Sequence, residues 1–261
     1  MLMRSLILST LALAAVAAAS PAAAIEASGH AVAVLRNTAA NGPGGDRALK
    51  ADGPIFTGDV IKTDRRGTAQ ILFADNTKMV VGPNSQLTID SFVFSGPSKA
   101  STFAIGALRG SFRFITGASA KNAYSIETPN ATIGVRGTRF DGHVAKDGTT
   151  TIAMWHGSVR ICDKATPRRH CTELTGTCSV IQLDRKDRFN RVNNIYERTA
   201  LLDRTVPFAF RQARLKREFR VASRGCEIRN VDPVIDPNSK SGSPNPPSTA
   251  PSPAPTPTPP D

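Results

Sequence analysis

The sequence lacks the residue patterns of the common hydrolases. Its four histidines show neither H-E-x-x-H nor H-x-E spacing, so no ligand set of a metal hydrolase is visible. No G-x-S-x-G turn is present to expose a serine nucleophile, and no two cysteines form a C-x-x-C pair. These absences predict a protein with no catalytic residue, no cofactor and no metal site.

Acidic side chains are scarce among the predicted strands, and most of them fall at turns or strand ends. At such positions a carboxylate usually accepts hydrogen bonds from the turn and does not act as a general acid. An enzyme would therefore have to assemble its site from residues that are far apart in the sequence. The candidates for such a site are His143, His156, Glu127 and Asp141.

Long apolar runs are also missing, except at the start of the chain. Residues 1–24 contain an early cation, Arg4, then a run over residues 6–19 that is apolar except for Ser9 and Thr10, then small residues that end at Ala24. This order is typical of a secretory signal peptide with an A-x-A cleavage site. An uncleaved anchor helix is the alternative, but the run is shorter than the roughly 20 residues that cross a bilayer. We therefore expect a soluble mature protein that is periplasmic or secreted and has no cytoplasmic segment.

The chain has few cysteines, and their number fits an oxidising compartment, where exported thiols normally pair. Four cysteines allow three pairings, and the sequence alone does not decide among them. We favour Cys162 with Cys171, which closes a local loop, and Cys178 with Cys226, which ties a distant helix back. A zinc site is the rival interpretation, but only His170 lies near the cysteines.

Negative charge is in short supply, because 33 lysines and arginines outnumber 21 acidic residues and give a net charge of +12. The imbalance is largest over residues 160–229, where 17 basic residues stand against 8 acidic ones. Such a surplus predicts an acidic partner, namely an envelope protein, an anionic lipid surface or an acidic wall polymer. The predicted export argues against nucleic acid as a partner.

Residues 27–162 have the pattern of one all-β domain. Short β-branched or alternating runs recur at near-regular spacing with turn signals between them, and no amphipathic helix interrupts them. Two further strands are predicted around Cys178 and Phe189, within a cysteine-bearing basic extension over residues 163–230. Residues 231–261 are rich in Pro, Ser and Thr, which predicts a disordered tail. The main predicted strands are HAVAVLR, DVIKT, TAQILFA, TKMVVG, QLTIDSFVF, STFAIGALRGSFRFIT, AYSIETP, ATIGVRGTRFDGHVA and TTTIAMWHGSVRIC.

The basic extension is predicted to contain one amphipathic helix over about residues 206–224. Phe208, Leu215 and Phe219 fall on one face of this helix, and Pro207 is tolerated in its first turn. The helix could make peripheral contact with a membrane surface, or it could pack its apolar face on the β-domain, and we favour the packing. The opposite face carries the predicted basic surface, which consists of Arg211, Arg214, Lys216, Arg217 and Arg220.

The stretch TPNATIGVRGTRF, residues 128–140, is either an anion-binding loop or a strand bent at its glycines. It lacks G-x-G-x-x-G spacing, no Lys-Ser/Thr pair follows it, and no helix begins after it, so it does not fit a phosphate cradle. Gly134 and Gly137 instead allow a bulge or a close backbone approach. Arg136 and Arg139 point to opposite faces of a regular strand, which predicts that one of them is partly buried and paired.

Two stretches of the chain resemble the motifs of the FecR family. TPNATIGVRGTRFDGHVAKDGTTTIAMWHGSV is similar to the family pattern T-P-x-A-x-x-x-V-R-G-T-x-F, which continues through a D-G turn into an apolar strand. LKADGPIFTGDVIKTDRRGTAQILFADNTKMVVGPNSQLTI resembles the upstream motif of the same family, so that the two span about residues 31–159. The matching positions are Gly58, Asp59, Thr63, Gly67, Asp75, Gly82, Ser85, Arg136, Gly137 and Thr138.

The motif residues also have a purely structural interpretation. Gly58 and Asp59 form a turn before DVIKT, and residues 75–77 form a hairpin tip in which Asn76 tolerates a positive φ. The pattern therefore predicts structural or binding roles for these positions without deciding between the two.

The resemblance implies a β-solenoid-like or rolled all-β periplasmic domain. In the best-known members this domain senses the state of an outer-membrane receptor and controls an extracytoplasmic sigma factor. In this chain the predicted signal peptide leaves no cytoplasmic segment, and a cysteine-bearing basic region stands where such proteins add a small α/β domain. We predict a non-catalytic, exported binding or scaffolding protein of the cell envelope, which could act in transmembrane signalling. A wall-polymer binding protein and an envelope enzyme are the alternatives.

Overall fold

The computed structural model describes residues 25–96, 98–165 and 170–227. The predicted signal peptide and the predicted tail lie outside the described residues. The chain divides into two units, Met1–Glu227 and Ile228–Asp261, and the described strands all belong to the first unit. Within the described ranges, no helix is long and apolar enough to cross a membrane.

Fifteen strands of the described chain join into one sheet. Paired strands run antiparallel, apart from the parallel pair of β9 with β10. The bounds are β1 (Gly29–Leu35), β2 (Thr38–Asn41), β3 (Arg47–Ala48), β4 (Pro54–Ile55), β5 (Val60–Thr63), β6 (Thr68–Phe73), β7 (Lys78–Val81), β8 (Gln86–Gly96), β9 (Lys99–Ile115), β10 (Tyr124–Glu127), β11 (Ala131–Val144), β12 (Thr150–Asp163), β13 (Cys171–Thr175), β14 (Val180–Leu183) and β15 (Phe189–Arg191).

The mainly β fold agrees with the prediction from the sequence. The nine main predicted runs correspond to β1 and to β5 through β12. Around the second cysteine pair the prediction was less accurate, because Cys178 lies in a turn between β13 and β14 and has a φ of +67°. Phe189, by contrast, begins strand β15 as expected.

Strand β9 bends and changes its neighbours halfway along. Its first half pairs with β8 and β10, and its second half pairs with β7 and β11. The change occurs at Gly110, whose φ of +87° is a conformation that side chains with a Cβ rarely adopt. A Cβ at this position would also collide with Ser85. The sheet therefore folds over itself, so that the Phe73 ring of β6 lies 6.0 Å from the Phe92 ring of β8.

The folded sheet has two apolar cores. The larger core is enclosed by the sheet and contains a chain of ring contacts, in which Phe103 lies 4.6 Å from Phe73 and 5.8 Å from Phe114 between ring centres. The smaller core lies on the outer face of the sheet. There Trp155 of β12 and Val80 of β7 pack with residues that follow β15 in the chain, including Phe219. The basic extension therefore covers part of the β-domain.

The position of the helix differs from the prediction. The helix α1 spans Ile195–Thr205 and is capped at its N-terminus by Asn194, whose side chain accepts hydrogen bonds from the amides of Tyr196 and Glu197. Residues 206–226 follow it as a chain of turns with one short 3-10 helix, Arg217–Phe219, and we call this segment the strap. The prediction of a helix over residues 206–224 was wrong.

The strap is not helical because glutamine side chains form hydrogen bonds with its backbone amides and carbonyls. The side chain of Gln70 donates to the carbonyl of Arg214 and accepts from the amide of Lys216. The side chain of Gln212 accepts from the amide of Val221 and donates to its carbonyl. These bonds replace the backbone bonds of a helix. The apolar residues whose spacing suggested a helix are each buried at a separate place in the smaller core.

Both disulfides have the pairing favoured from the sequence. Cys162 and Cys171 join β12 to β13 and are directly opposite each other in the ladder. Cys178 is bonded to Cys226 at the end of the strap. The second disulfide therefore ties down the strap, and not the helix.

Candidate functional site

Asp59, an acidic residue of the upstream family motif, is buried and already has a partner within the fold. Both oxygens of its carboxylate accept from the Arg47 guanidinium, at 3.1 and 2.5 Å, and one also accepts from the amide of Phe56 at 2.8 Å. Gly58, with a φ of +89°, forms the turn that leads into this residue. Asp59 therefore anchors a turn, and no acceptor oxygen is left facing solvent.

Asp75 of the motif is also buried and accepts from four donors. These are the amide of Thr77 at 2.9 Å and the hydroxyls of Thr77, Ser119 and Tyr124 at 2.9, 2.7 and 2.8 Å. Burial raises the pKa of Tyr124, so its hydroxyl stays protonated and serves as a donor. Asn76 has the positive φ that the hairpin tip predicts, at 65°. This network ties the β6–β7 hairpin to the loop between β9 and β10.

Gly82, Ser85 and Thr63 of the motif meet in one hydrogen-bonded corner. The Thr63 hydroxyl donates to the carbonyl of Gly82 at 2.6 Å and accepts from the amide of Ser85 at 2.9 Å. The Ser85 hydroxyl in turn accepts from the amide of Ser111 at 2.9 Å. A Cβ on Gly82 would lie 2.7 Å from the ring of Phe208 in the strap. Glycine is therefore required at this position for the strap to approach the sheet.

We expect Gly82→Ala to lower the free energy of unfolding by about 1–3 kcal/mol, because the added methyl group overpacks the contact with Phe208 and Ser111. The matched control is Gly134→Ala on β11, where the nearest atom to an added Cβ is 3.9 Å away. That control should be neutral or stabilising by up to about 1 kcal/mol. Urea unfolding of both variants checks the prediction, and equal losses would show that Gly82 has no special packing role.

Residues 128–140 are a strand with a bulge, and not an anion-binding loop. Arg136 faces Ser158 and Arg139 faces His156, so that two residues of β11 lie opposite one residue of β12. Gly137, with a φ of +65°, is one of the two residues in the bulge. Thr138 is buried beside it, and its amide donates to the Thr116 hydroxyl.

The bulge changes where the two arginines of this stretch point. Both Arg136 and Arg139 are exposed. Neither forms an ion pair or a side-chain hydrogen bond with the described residues. The expectation that one of them is partly buried and paired was wrong, because it assumed a regular strand. Arg136 lines a small cavity of about 200 Å³ together with Arg160 and Glu173.

The four residues proposed for an enzyme do not meet in one pocket. Asp141 is fully buried and holds the Arg113 guanidinium, whereas Glu127 pairs with Lys164 near the surface. Burial lowers the pKa of His143, and His156 is exposed. None of the four lines the cavity beside Arg136 or the larger cleft between the sheet and the strap. In the described ranges, no group of three or more His, Cys, Asp or Glu side chains is placed to hold a metal ion.

Arg113 joins the outer face of the sheet to the strap. It lies opposite Asp141 in the ladder of β9 and β11, and its guanidinium donates to both carboxylate oxygens, at 2.6 and 2.7 Å. Burial raises the pKa of Asp141, and the positive charge of Arg113 opposes that shift. The same guanidinium donates to the Gln212 side chain at 2.7 Å and to the carbonyls of Phe208 and Phe219 at 3.2 Å.

A cleft of about 670 Å³ lies where the strap meets the sheet. Its apolar lining includes Pro207, Phe208 and Leu215 of the strap. Five arginines also line it, and we call it the arginine cleft. Three belong to turns of the sheet and two to the strap; they are Arg36, Arg65, Arg66, Arg211 and Arg214.

Backbone hydrogen bonds hold three turns of the sheet together at the arginine cleft. The amide of Asp64 donates to the carbonyl of Asn37, and the amide of Asn84 donates to the carbonyl of Asp64. The turns after β1, β5 and β7 are therefore adjacent. Gly67 of the family motif permits this arrangement, because a Cβ there would lie 2.6 Å from the carbonyl oxygen of Asn37. The motif thus places Arg65 and Arg66 beside Arg36.

The strap side of the cleft is fixed by Gln70, a buried residue of β6. The nitrogen of its side-chain amide donates to the carbonyl of Arg214 at 3.2 Å, and the oxygen of that side chain accepts from the backbone amide of Lys216 at 2.7 Å. The predicted basic surface is divided by this arrangement. Arg211 and Arg214 line the cleft, whereas Arg220 bonds to strap carbonyls and Lys216 and Arg217 are exposed outside it.

Most of the charge in the arginine cleft is not neutralised within the described chain. Arg211 forms an ion pair with Asp203 at 3.1 Å, and both side chains are more than half exposed. The guanidinium groups of the other four arginines form no ion pair and no hydrogen bond with any described residue; these are Arg36, Arg65, Arg66 and Arg214. An exposed ion pair such as that of Arg211 contributes at most about 1 kcal/mol, so even this arginine can exchange its partner.

Sequence analysis did not identify Arg36, Arg65 and Arg66 as part of a binding surface. Arg65 and Arg66 stand next to each other in the turn DRRG, and this doublet was a usable signal for a basic turn. Arg36 gave no such signal, since it precedes a short strand that was not predicted. Only the fold brings it to the strap.

Comparison with known proteins identifies a family for part of the chain. Residues 59–160 match the family described as FecR protein, which confirms the resemblance predicted from the motifs. No curated protein matches the chain. Two crystal structures of a candidate anti-sigma factor from Parabacteroides distasonis, at 1.65 and 2.50 Å resolution, are similar over 52% of this chain with 14% sequence identity and a TM-score of 0.41. The match covers 59% of the length of those chains.

Proposed function

Since the chain carries a FecR domain at residues 59–160, we propose that it is a non-catalytic binding protein of the bacterial cell envelope that recognises an acidic envelope protein in a signalling pathway. The observation that carries this proposal is the arginine cleft, whose guanidinium groups have so few partners of their own. A cleft lined by one sign of charge attracts the opposite charge and accelerates association with it.

Two further observations support a binding role. The buried acids of the FecR motif, Asp59 and Asp75, are occupied by internal donors, and the candidate catalytic residues are dispersed. Arg65 and Arg66 lie inside the FecR domain, Arg36 lies before it, and the other two cleft arginines lie on the strap, so all three parts contribute to one surface. The sequence-predicted signal peptide provides the export that an envelope location requires.

The proposal is tested by crosslinking the full-length protein in intact cells and identifying the captured molecule by mass spectrometry. We expect one reproducible envelope protein, crosslinked at residues around the arginine cleft. Capture should be lost in the double variant Arg211→Ser/Arg214→Ser. It should persist in Lys216→Ser/Arg217→Ser, which removes the same charge from the same strap but outside the cleft.

Two other outcomes would contradict the proposal. Capture of wall glycan alone, with the same dependence on Arg211 and Arg214, would replace it by the wall-polymer alternative. Cleavage of a glycan or peptide bond by the purified protein would assign an enzyme, with a site other than the dispersed candidates His143, His156, Glu127 and Asp141.

A further inference from the structure

The five guanidinium groups of the arginine cleft have a chemical preference that can be read from their number and their surroundings. An arginine presents its donors in a planar fork that fits the oxygens of a phosphate or a carboxylate. A phosphate monoester carries about −1.5 to −2 charges at neutral pH and has three strong acceptor oxygens, so one such group can serve two arginines from different segments. Two or three phosphates would therefore match the charge of the cleft, whereas five separate carboxylates would be needed.

The size of the cleft also favours a ligand with several anionic groups. At about 670 Å³ it falls within the range of small-molecule sites, and a single inorganic anion would leave most of the arginines without a partner. Apolar side chains, among them Phe208 and Leu215, lie between the charges. They offer contact to a non-polar part of the ligand that carries the phosphates.

The backbone of Arg36 gives an independent reason to assign a ligand. Its φ of 59° lies in the left-handed region, which glycine or asparagine adopts at lower cost than arginine. The side chain is exposed and forms no ion pair or hydrogen bond with the described residues that would offset this cost. Strained positions of this kind cluster at ligand sites, where the side chain is needed for something other than stability.

We propose that the arginine cleft binds a ligand that bears two or more phosphate groups. The turns of the sheet and the strap both contact this ligand. This inference rests on the proposed function in that both use the same unpaired arginines. The phosphate-bearing ligand binds without a second protein, so it and the acidic protein partner would occupy the cleft in alternation. Arg36, Arg65 and Arg66 hold the ligand from the sheet, and Arg211 and Arg214 hold it from the strap.

Direct binding to the purified full chain tests the inference, with sodium tripolyphosphate as the soluble probe in a titration calorimeter. Tripolyphosphate should bind at least about tenfold more tightly than orthophosphate, because it engages several arginines at once, and its affinity should fall with added salt. Arg211→Ser/Arg214→Ser should weaken it by about tenfold or more. The matched control Lys216→Ser/Arg217→Ser should change it by less than about twofold, because these exposed charges lie outside the cleft, where salt screens them.

A single substitution separates a ligand site from a structural role. Arg36→Asn should weaken tripolyphosphate binding while leaving the melting temperature unchanged or higher, since asparagine tolerates the left-handed backbone. A structural role for Arg36 predicts the opposite, with a lower melting temperature and unchanged binding. That result would overturn the assignment.

Vesicles and peptides identify the source of the phosphate. Binding to cardiolipin vesicles, but not to phosphatidylcholine vesicles, with the same dependence on Arg211 and Arg214 would support the phosphate site and assign a lipid headgroup to it. Binding of tripolyphosphate alone would support it with a soluble ligand. Tighter binding of a hexaglutamate peptide than of tripolyphosphate, or equal affinities in both double variants, would overturn it. Such a failure would leave the crosslinking test of the protein partner unaffected.

Discussion

Replacing Arg113 by methionine is expected to lower the free energy of unfolding by about 3–5 kcal/mol, because it leaves the buried carboxylate of Asp141 without a counter-charge. The exposed fraction of both side chains is 0%, so water cannot take the place of the guanidinium. The variant also removes the donor for Gln212 and for two carbonyls of the strap. Urea unfolding of the full chain, followed by tryptophan fluorescence of Trp155 in the smaller core, measures the loss.

The matched control removes both charges. In Arg113→Met/Asp141→Leu no uncompensated carboxylate remains, and an apolar pair of similar volume is often as stable as a buried ion pair. The double variant should therefore recover much of the loss, although the strap still lacks its donors. If the double variant is as unstable as Arg113→Met, then the contacts of Arg113 with the strap account for the loss and the ion pair does not.

Local patterns predicted most of the sheet correctly. Alternating runs bounded by turn residues identified β1 and β5 through β12, because each of these strands buries one or both faces and the pattern records that burial. Strands β3 and β4 were missed because two residues are too few to show a period. Strand β2 was missed because its four residues, TAAN, include only one β-branched residue. Both disulfides have the favoured pairing, although the sequence alone did not decide among the three possible ones.

The strap shows why the conformation of the basic extension could not be predicted from the sequence. Spacings of seven and four between Phe208, Leu215 and Phe219 fit one face of a helix, but each residue fills a separate site of the smaller core. The conformation depends on contacts between distant parts of the chain, among them the two hydrogen bonds that the Gln70 side chain makes with residues 144 and 146 positions away. No local pattern carries that information. The arginine cleft was missed for the same reason, because its two sides meet only through contacts between residues that are far apart in the sequence.

The disulfide Cys178–Cys226 is expected to stabilise the fold more than the disulfide Cys162–Cys171. In the chain-entropy account, the cross-link between Cys178 and Cys226, separated by 48 residues, stabilises by about 4 kcal/mol. The link between Cys162 and Cys171, separated by 9 residues, stabilises by about 3 kcal/mol. We therefore expect Cys178→Ala/Cys226→Ala to unfold at lower urea concentration than Cys162→Ala/Cys171→Ala.

Binding distinguishes the two disulfides more sharply than stability does. Cys226 ends the strap that carries Arg211 and Arg214, whereas Cys162 and Cys171 link two neighbouring strands that do not line the arginine cleft. At a urea-free condition where both variants remain folded, tripolyphosphate affinity should fall several-fold only in Cys178→Ala/Cys226→Ala, because a looser strap must be ordered when the ligand binds. Unchanged affinity in that variant would mean that Arg113 and Gln70 hold the strap in place without the covalent link.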